Sequence, residues 1–76
     1  MKLEYVAATR SVKISFTSKD EDNVDRALLK THYSYLISGN NAYVLVLDET
    51  DYHKFIDCLK AVKAEMKWNA RIHCAN

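Results

Sequence analysis

Residues 34–48 read SYLISGNNAYVLVLD and hold the single glycine of a chain that has no proline. Glycine and asparagine tolerate positive φ, so Gly39-Asn40-Asn41 predicts a tight loop with a strand on either side. The competing reading extends the preceding helix through residue 38. Tyr33, Ser34, Tyr35 and Ile37 have weak helix propensity, which favours the hairpin. The second arm, residues 42–47, is apolar at every position, as suits a central strand covered on both faces or flanked on both sides. It is expected to be the most buried strand, with residues 44–47 read as core. Alternation groups Tyr33, Tyr35 and Ile37 on one face of the first arm, and Tyr43, Leu45 and Leu47 on one face of the second. The loop register decides which of these faces coincide.

Upstream, residues 2–8 (KLEYVAA) and 12–17 (VKISFT) are rich in branched and aromatic residues. The second alternates Val12, Ile14 and Phe16 with Lys13, Ser15 and Thr17, the pattern of a half-buried strand, and the pair reads as a hairpin across a weak turn signal, Thr9-Arg10-Ser11. Ser18 followed by Glu21 matches a capping box and predicts a helix ending near His32, with Val24, Ala27, Leu28 and Thr31 as its inward stripe. Downstream, Asp48 or Thr50 caps a helix over about 51–66, whose Tyr52, Phe55, Leu59, Val62 and Met66 share one arc with Cys58 at its margin. Residues 70–74 alternate apolar and polar side chains and make a final strand plausible.

The element order is therefore ββαββα(β). Laying residues 12–30 over 43–61, at an offset of 31, matches strand to strand and helix to helix, yet only Asp20 with Asp51 and Leu28 with Leu59 are identical. The likeness is one of pattern, and a duplication does not follow. The economical way to bury these faces is an α+β two-layer sandwich: a mostly antiparallel four- or five-stranded sheet with two helices on one face and the other face open. At 76 residues the chain is expected to be one compact domain spanning 1–76, with most apolar side chains committed to one core.

Eleven Lys and Arg against ten Asp and Glu leave a net charge of +1, too little for whole-molecule steering toward nucleic acid or an anionic membrane. No apolar run is long enough for a membrane span and the first residues lack the apolar core of a secretory signal, so a cytoplasmic location is expected. Two cysteines, Cys58 and Cys74, are fewer than a disulfide-dependent secreted domain carries and read as free thiols.

Chemistry finds little to build on. His53 with Cys58, and His73 with Cys74, lack the paired two-to-four spacing of zinc ligands, and the acidic run from Asp20 to Asp25 lacks the glycine and the terminal glutamate of a calcium loop. Neither a metal nor a cofactor is expected. Cys74 and His73 are neighbours on a strand and point to opposite faces, so they make a poor nucleophile and base pair. An enzyme is not expected. The least favoured reading is a small metal-independent nuclease using general acid and base groups.

The favoured reading is a small protein-binding module, a regulator or inhibitor of a protein partner, with Tyr33, Tyr35, Tyr43 and Trp68 as contact residues. Trp68 has a second role open to it, locking the tail onto the main helix. In size and in lacking a catalytic constellation the chain resembles the small inhibitors that phages and mobile elements encode, a likeness of composition only. The alternative is single-stranded nucleic-acid binding, with Lys13, Arg71 and His73 on the open sheet face beside one or two of Tyr5, Tyr33, Tyr35 and Tyr43, and with Lys60, Lys63 and Lys67 as a lysine stripe along the main helix. If the helices run parallel, as the repeated unit suggests, acidic residues gather at one pole and lysines at the other. A homodimer through the open face or an uncharged sheet edge is the further option.

Overall fold

The computed structural model describes residues 1–75. It is an α+β two-layer sandwich built from β1 (Lys2–Val6), β2 (Ser11–Ser15), α1 (Glu21–Thr31), β3 (Tyr35–Ser38), β4 (Asn41–Leu45), α2 (Glu49–Met66) and β5 (His73–Cys74). The five strands form one sheet in the order β3-β4-β2-β1-β5, antiparallel throughout except for the β1–β5 pair. The final strand is shorter than expected, two residues held by bonds from His73 N to Met1 O (2.9 Å) and from Ala75 N to Leu3 O (2.8 Å).

The β3–β4 hairpin turns on two residues rather than three. Ser38 pairs with Asn41, leaving Gly39 and Asn40 as the loop. Gly39 has φ +60° while Asn40 keeps a negative φ, the pattern of a type II′ turn whose first central position favours glycine. A β carbon at Gly39 would meet nothing within 4 Å, so backbone conformation and not space selects the glycine. From this register Tyr35 pairs with Val44, and Leu36 with Tyr43. Tyr35 therefore shares the inward face with Val44, and Tyr43 shares the outward face with Leu36. A three-residue loop would have placed Tyr35 opposite Leu45 and put all three tyrosines on one side.

The core fills the space between the inward face and the helices: Leu3, Val12, Ile14, Phe16, Ala42, Val44 and Val46 from the sheet side meet Val24, Ala27, Leu28, Tyr52, Phe55, Ile56, Leu59 and Val62. The most buried strand is β2 and not the second arm of the hairpin, because β2 lies mid-sheet and even its outward Ser11 is covered. β4 has neighbours on both edges but a helix layer on one face only. Its apolar residues therefore divide, with Val44 and Val46 inside and Leu45 and Leu47 exposed, which corrects the reading of 44–47 as uniform core.

The capping box expected at Ser18 and Glu21 does not form. A 3-10 turn, Ser18–Asp20, leads into α1, and neither start carries a side-chain cap bond. The reciprocal cap occurs at α2 instead. Asp48 Oδ1 accepts from the Asp51 N–H (2.8 Å) while Asp51 Oδ2 accepts from the Leu47 N–H (2.9 Å), satisfying donors that the helix cannot.

At the other end of α2, Lys67 adopts the left-handed conformation (φ 57°), with Lys67 N bonded to Ala64 O (3.1 Å) and Trp68 N to Lys63 O (3.0 Å). These two bonds define a Schellman motif, in which the residue after the left-handed position packs an apolar side chain back onto the helix. Trp68 follows that position and is half-buried against the core. Lys67→Gly is expected to stabilise the protein by about 0.5–1 kcal/mol, because glycine removes the left-handed strain at some cost in unfolded-chain entropy. Chemical denaturation midpoints would show the gain; a loss would mean that the lysine side chain itself holds the terminus.

The helices run antiparallel. β2 and β3 point the same way, so α1 must return between them, and β4 and β5 share the opposite sense, so α2 returns the other way. Acidic starts and basic ends therefore alternate, and each end of the layer carries both signs, in place of the negative pole that parallel helices would make. The two ββα units are related by an approximate twofold axis through the antiparallel β2–β4 junction. At an offset of 31 the helices superpose in phase, Leu28 and Leu59 both being inward, but the strands fall out of phase by one residue, since inward Val12 and Ile14 land on outward Tyr43 and Leu45.

Candidate protein-binding face

The uncovered face of the sheet is ordered by the register into rows. One row runs Leu36, Tyr43, Lys13, Glu4 from β3 to β1; the next on one side is Leu45, Ser11, Val6; on the other it is Ser38, Asn41, Ser15, Lys2, His73. Ser15 Oγ donates to Asn41 Oδ1 (3.2 Å) within the last row. The face is thus graded, apolar over β3 and β4 and charged toward β1. Leu36 is 66% exposed, Leu45 62% and Leu47, just beyond the strand, 78%. Ser34, Tyr35, Leu36, Tyr43 and Leu45 line a shallow cleft of about 280 Å³. Enclosed ligand sites usually start near 300 Å³ and surround most of their ligand. An open cleft of this size suits one apolar side chain from a partner.

The tyrosines named from the sequence do not converge. Tyr33 packs edge-on against Phe55 (5.1 Å between ring centres, 76°) and donates its hydroxyl to Asp51 Oδ1 (3.0 Å). Burial, then the bond to Asp51 and its charge, and lastly Cys58, hold the Tyr33 hydroxyl above its usual pKa. Tyr35 donates to Asp25 Oδ1 (2.8 Å), and that bond, with burial and the carboxylate charge behind it, raises Tyr35 in the same direction. Both tie the sheet to the helices. Of the four, Tyr43 alone is placed on the outward face by the register, and Trp68 packs half-buried against the core.

The basic residues are dispersed as well. Lys13 lies beside Tyr43 on the open face, whereas Lys60, Lys63 and Lys67 belong to α2 or its cap in the layer behind the sheet. Arg71 is exposed in the segment before β5. A nucleic-acid strand stacked on Tyr43 would meet Lys13 and Lys2 but not the α2 lysines.

Sequence reasoning missed Leu36, Leu45 and Leu47. Their signal was present: once both helices are assigned to one side, every second residue of an all-apolar strand must face solvent. The remaining polar chemistry is sparse. His73 pairs with Lys2 on the outward face and Cys74 with Leu3 on the inward face, so imidazole and thiol are separated by the sheet. Cys58 and Cys74 are free. Among the described residues no three His, Cys, Asp or Glu gather in a metal-binding group, and no helix is long and apolar enough to cross a membrane.

Tyr52 lies behind β1, stacked on Tyr5 (5.5 Å, 20°), its hydroxyl buried without a well-formed hydrogen bond. Burial pushes its pKa from 10.0 to about 12, with the Cys74 thiol and Glu4 adding to the effect. Tyr33, Tyr35 and Tyr52 are all raised in the fold, so each contributes stability that is complete below the unfolded value of 10.0 and is lost as pH climbs through its folded value. Thermal melts stepped from about pH 8 to about pH 12 are expected to stay level until about 10 and then fall. Tyr52→Phe removes an ionisable group and an unsatisfied hydroxyl and is expected to flatten that fall; an unchanged slope would assign the loss to other groups.

The chain matches no family model, no curated protein and no solved structure, so its own geometry carries the functional reading.

Proposed function

We propose that this protein is a small cytoplasmic protein-binding module that regulates or inhibits one protein partner by docking the outer face of its sheet. The observation behind the reading is the exposure of Leu36 and Leu45 beside Tyr43 on the uncovered face, with Leu47 exposed just beyond the strand. Single exposed leucines are ordinary on protein surfaces, but a contiguous apolar group rimmed by polar residues marks an interaction site. Lys13, Glu4, Ser15 and Asn41 supply that rim. The partner would bury Tyr43 and the flanking leucines at the centre, where affinity concentrates, and meet the charges at the periphery.

Affinity capture from an extract of the native cell, with nuclease treatment and at two salt concentrations, tests the proposal. A stoichiometric protein retained by wild type in both salts, and lost on Leu45→Asp, supports it. A nucleic acid released by salt would establish the other reading, since phosphate contacts weaken steeply with salt and apolar contacts do not.

A further inference from the structure

We propose that Cys74 is a redox site, where a hydroperoxide converts the thiol to a sulfenate that the Tyr52 hydroxyl holds by a hydrogen bond. β5 lies at the opposite edge of the sheet from β3 and β4, so the site stands apart from the docking face. Tyr52 is 1% exposed, and among the described residues its hydroxyl is the single buried side-chain oxygen or nitrogen without a hydrogen-bond partner. Native folds leave few such groups, because an unmade bond in the interior is costly. The register shows what this one faces. Leu3 and Tyr5 point inward from β1, Cys74 pairs with Leu3 and so points inward from β5, and the Tyr52 ring stacks on Tyr5 at 5.5 Å. Phenol and thiol therefore meet on one face, and after burial the Cys74 thiol is the next cause that raises the Tyr52 hydroxyl.

The reduced thiol satisfies this hydroxyl poorly, since sulfur is a weak acceptor. An oxygen on the sulfur adds a bond's reach and a charged acceptor, the stronger kind of partner. Cys74 is exposed on the outermost strand, so a small peroxide reaches the sulfur from the open edge while the phenol lies beneath it. In the step, the thiolate sulfur attacks one peroxide oxygen, the S–O bond forms and the O–O bond breaks. Sulfur is oxidised by two electrons and the peroxide is reduced; its second oxygen leaves as hydroxide, which takes up the proton shed by the thiol and becomes water. Tyr52 keeps its own proton and donates it in a hydrogen bond to the sulfenate oxygen, a role suited to a phenol held at about 12. Sulfenates are consumed by condensing with a neighbouring thiol. The second cysteine, Cys58, lies beside Tyr33 on the β3 side of α2 and leaves the Cys74 sulfenate without such a neighbour in its own chain.

A short pulse of hydrogen peroxide on the reduced protein, ended with catalase, tests the proposal. Trapping with a sulfenate-specific diketone at successive times, followed by peptide mass spectrometry, reads where the oxygen went and how long it stays. The adduct is expected on Cys74 and not on Cys58. The Cys74 sulfenate is expected to persist about fivefold longer in wild type than in Tyr52→Phe, as one net hydrogen bond requires. A similar ratio is expected between folded wild type and wild type unfolded in urea, a comparison that needs no variant to fold. An adduct mainly on Cys58, or none on Cys74, overturns the proposal. So does a Cys74 sulfenate that lives no longer in the folded chain than in urea, or one whose lifetime is the same in folded Tyr52→Phe.

Discussion

Phe55→Ala is expected to remove a large share of the protein's stability. Phe55 has no exposed surface and stands where the layers meet, with the Tyr33 ring against its own at 5.1 Å. Truncating a buried phenylalanine costs about 3–5 kcal/mol in transfer energy and cavity. A chain of this length holds on the order of 4–11 kcal/mol in all. The loss is compounded because Tyr33 gives up its ring partner, and Tyr33 is bonded to the same Asp51 that closes the α2 cap. Urea titration followed by far-UV circular dichroism would record the change as a midpoint shifted far toward zero. A stability within about 1 kcal/mol of wild type would mean that the cavity collapses, and that Tyr33 and Phe55 do not join the layers.

Leu45→Asp should have the opposite profile. The side chain is mostly exposed, so stability should change by no more than about 0.5 kcal/mol. Partner binding, however, should fall by about 30-fold or more, because placing a carboxylate at the centre of an apolar contact costs about 2 kcal/mol or more in lost burial and uncompensated desolvation. Tyr35→Phe separates the two surfaces. It deletes only the hydroxyl that reaches Asp25, and is expected to lower stability by about 1 kcal/mol while leaving partner affinity unchanged. Equal losses of affinity in both variants would place the contact surface across the helices as well as the sheet.

These contrasts follow from a hairpin whose two arms were legible in the sequence and whose register was not. The pattern of apolar residues, one glycine and two asparagines announced the hairpin, and alternation grouped Tyr33 with Tyr35 and Tyr43 with Leu45. The sequence is silent on whether the loop consumes two residues or three, because asparagine at 40 and 41 suits either. Loop length alone moved Tyr43 to the outer face and Tyr35 to the inner one. Capping signals misled for a similar reason. Ser18 with Glu21 fits the capping pattern, yet the chain makes a 3-10 turn there, while Asp48 and Asp51 form a reciprocal pair around α2.

The helices themselves were legible because their inward arcs are long and regular; Tyr52, Phe55, Leu59 and Val62 are all buried as the 3.6-residue period requires. Their relative direction was not. It depends on which strands are neighbours, and β2 meeting β4 rather than β3 makes the two units twofold partners instead of translated copies. The same topology leaves one face of β4 bare. An all-apolar strand thereby becomes half core and half surface, and that surface is where the candidate site lies.

Backbone amide shifts of the isotope-labelled protein, recorded as the captured partner is added, locate the docking surface residue by residue. Docking on the outer face is expected to concentrate the shifts at Leu36, Lys13, Tyr43 and Leu45, with the amides of Lys60, Lys63 and Lys67 unmoved. Shifts centred on those lysines and Arg71, with the outer face of β4 undisturbed, would contradict it.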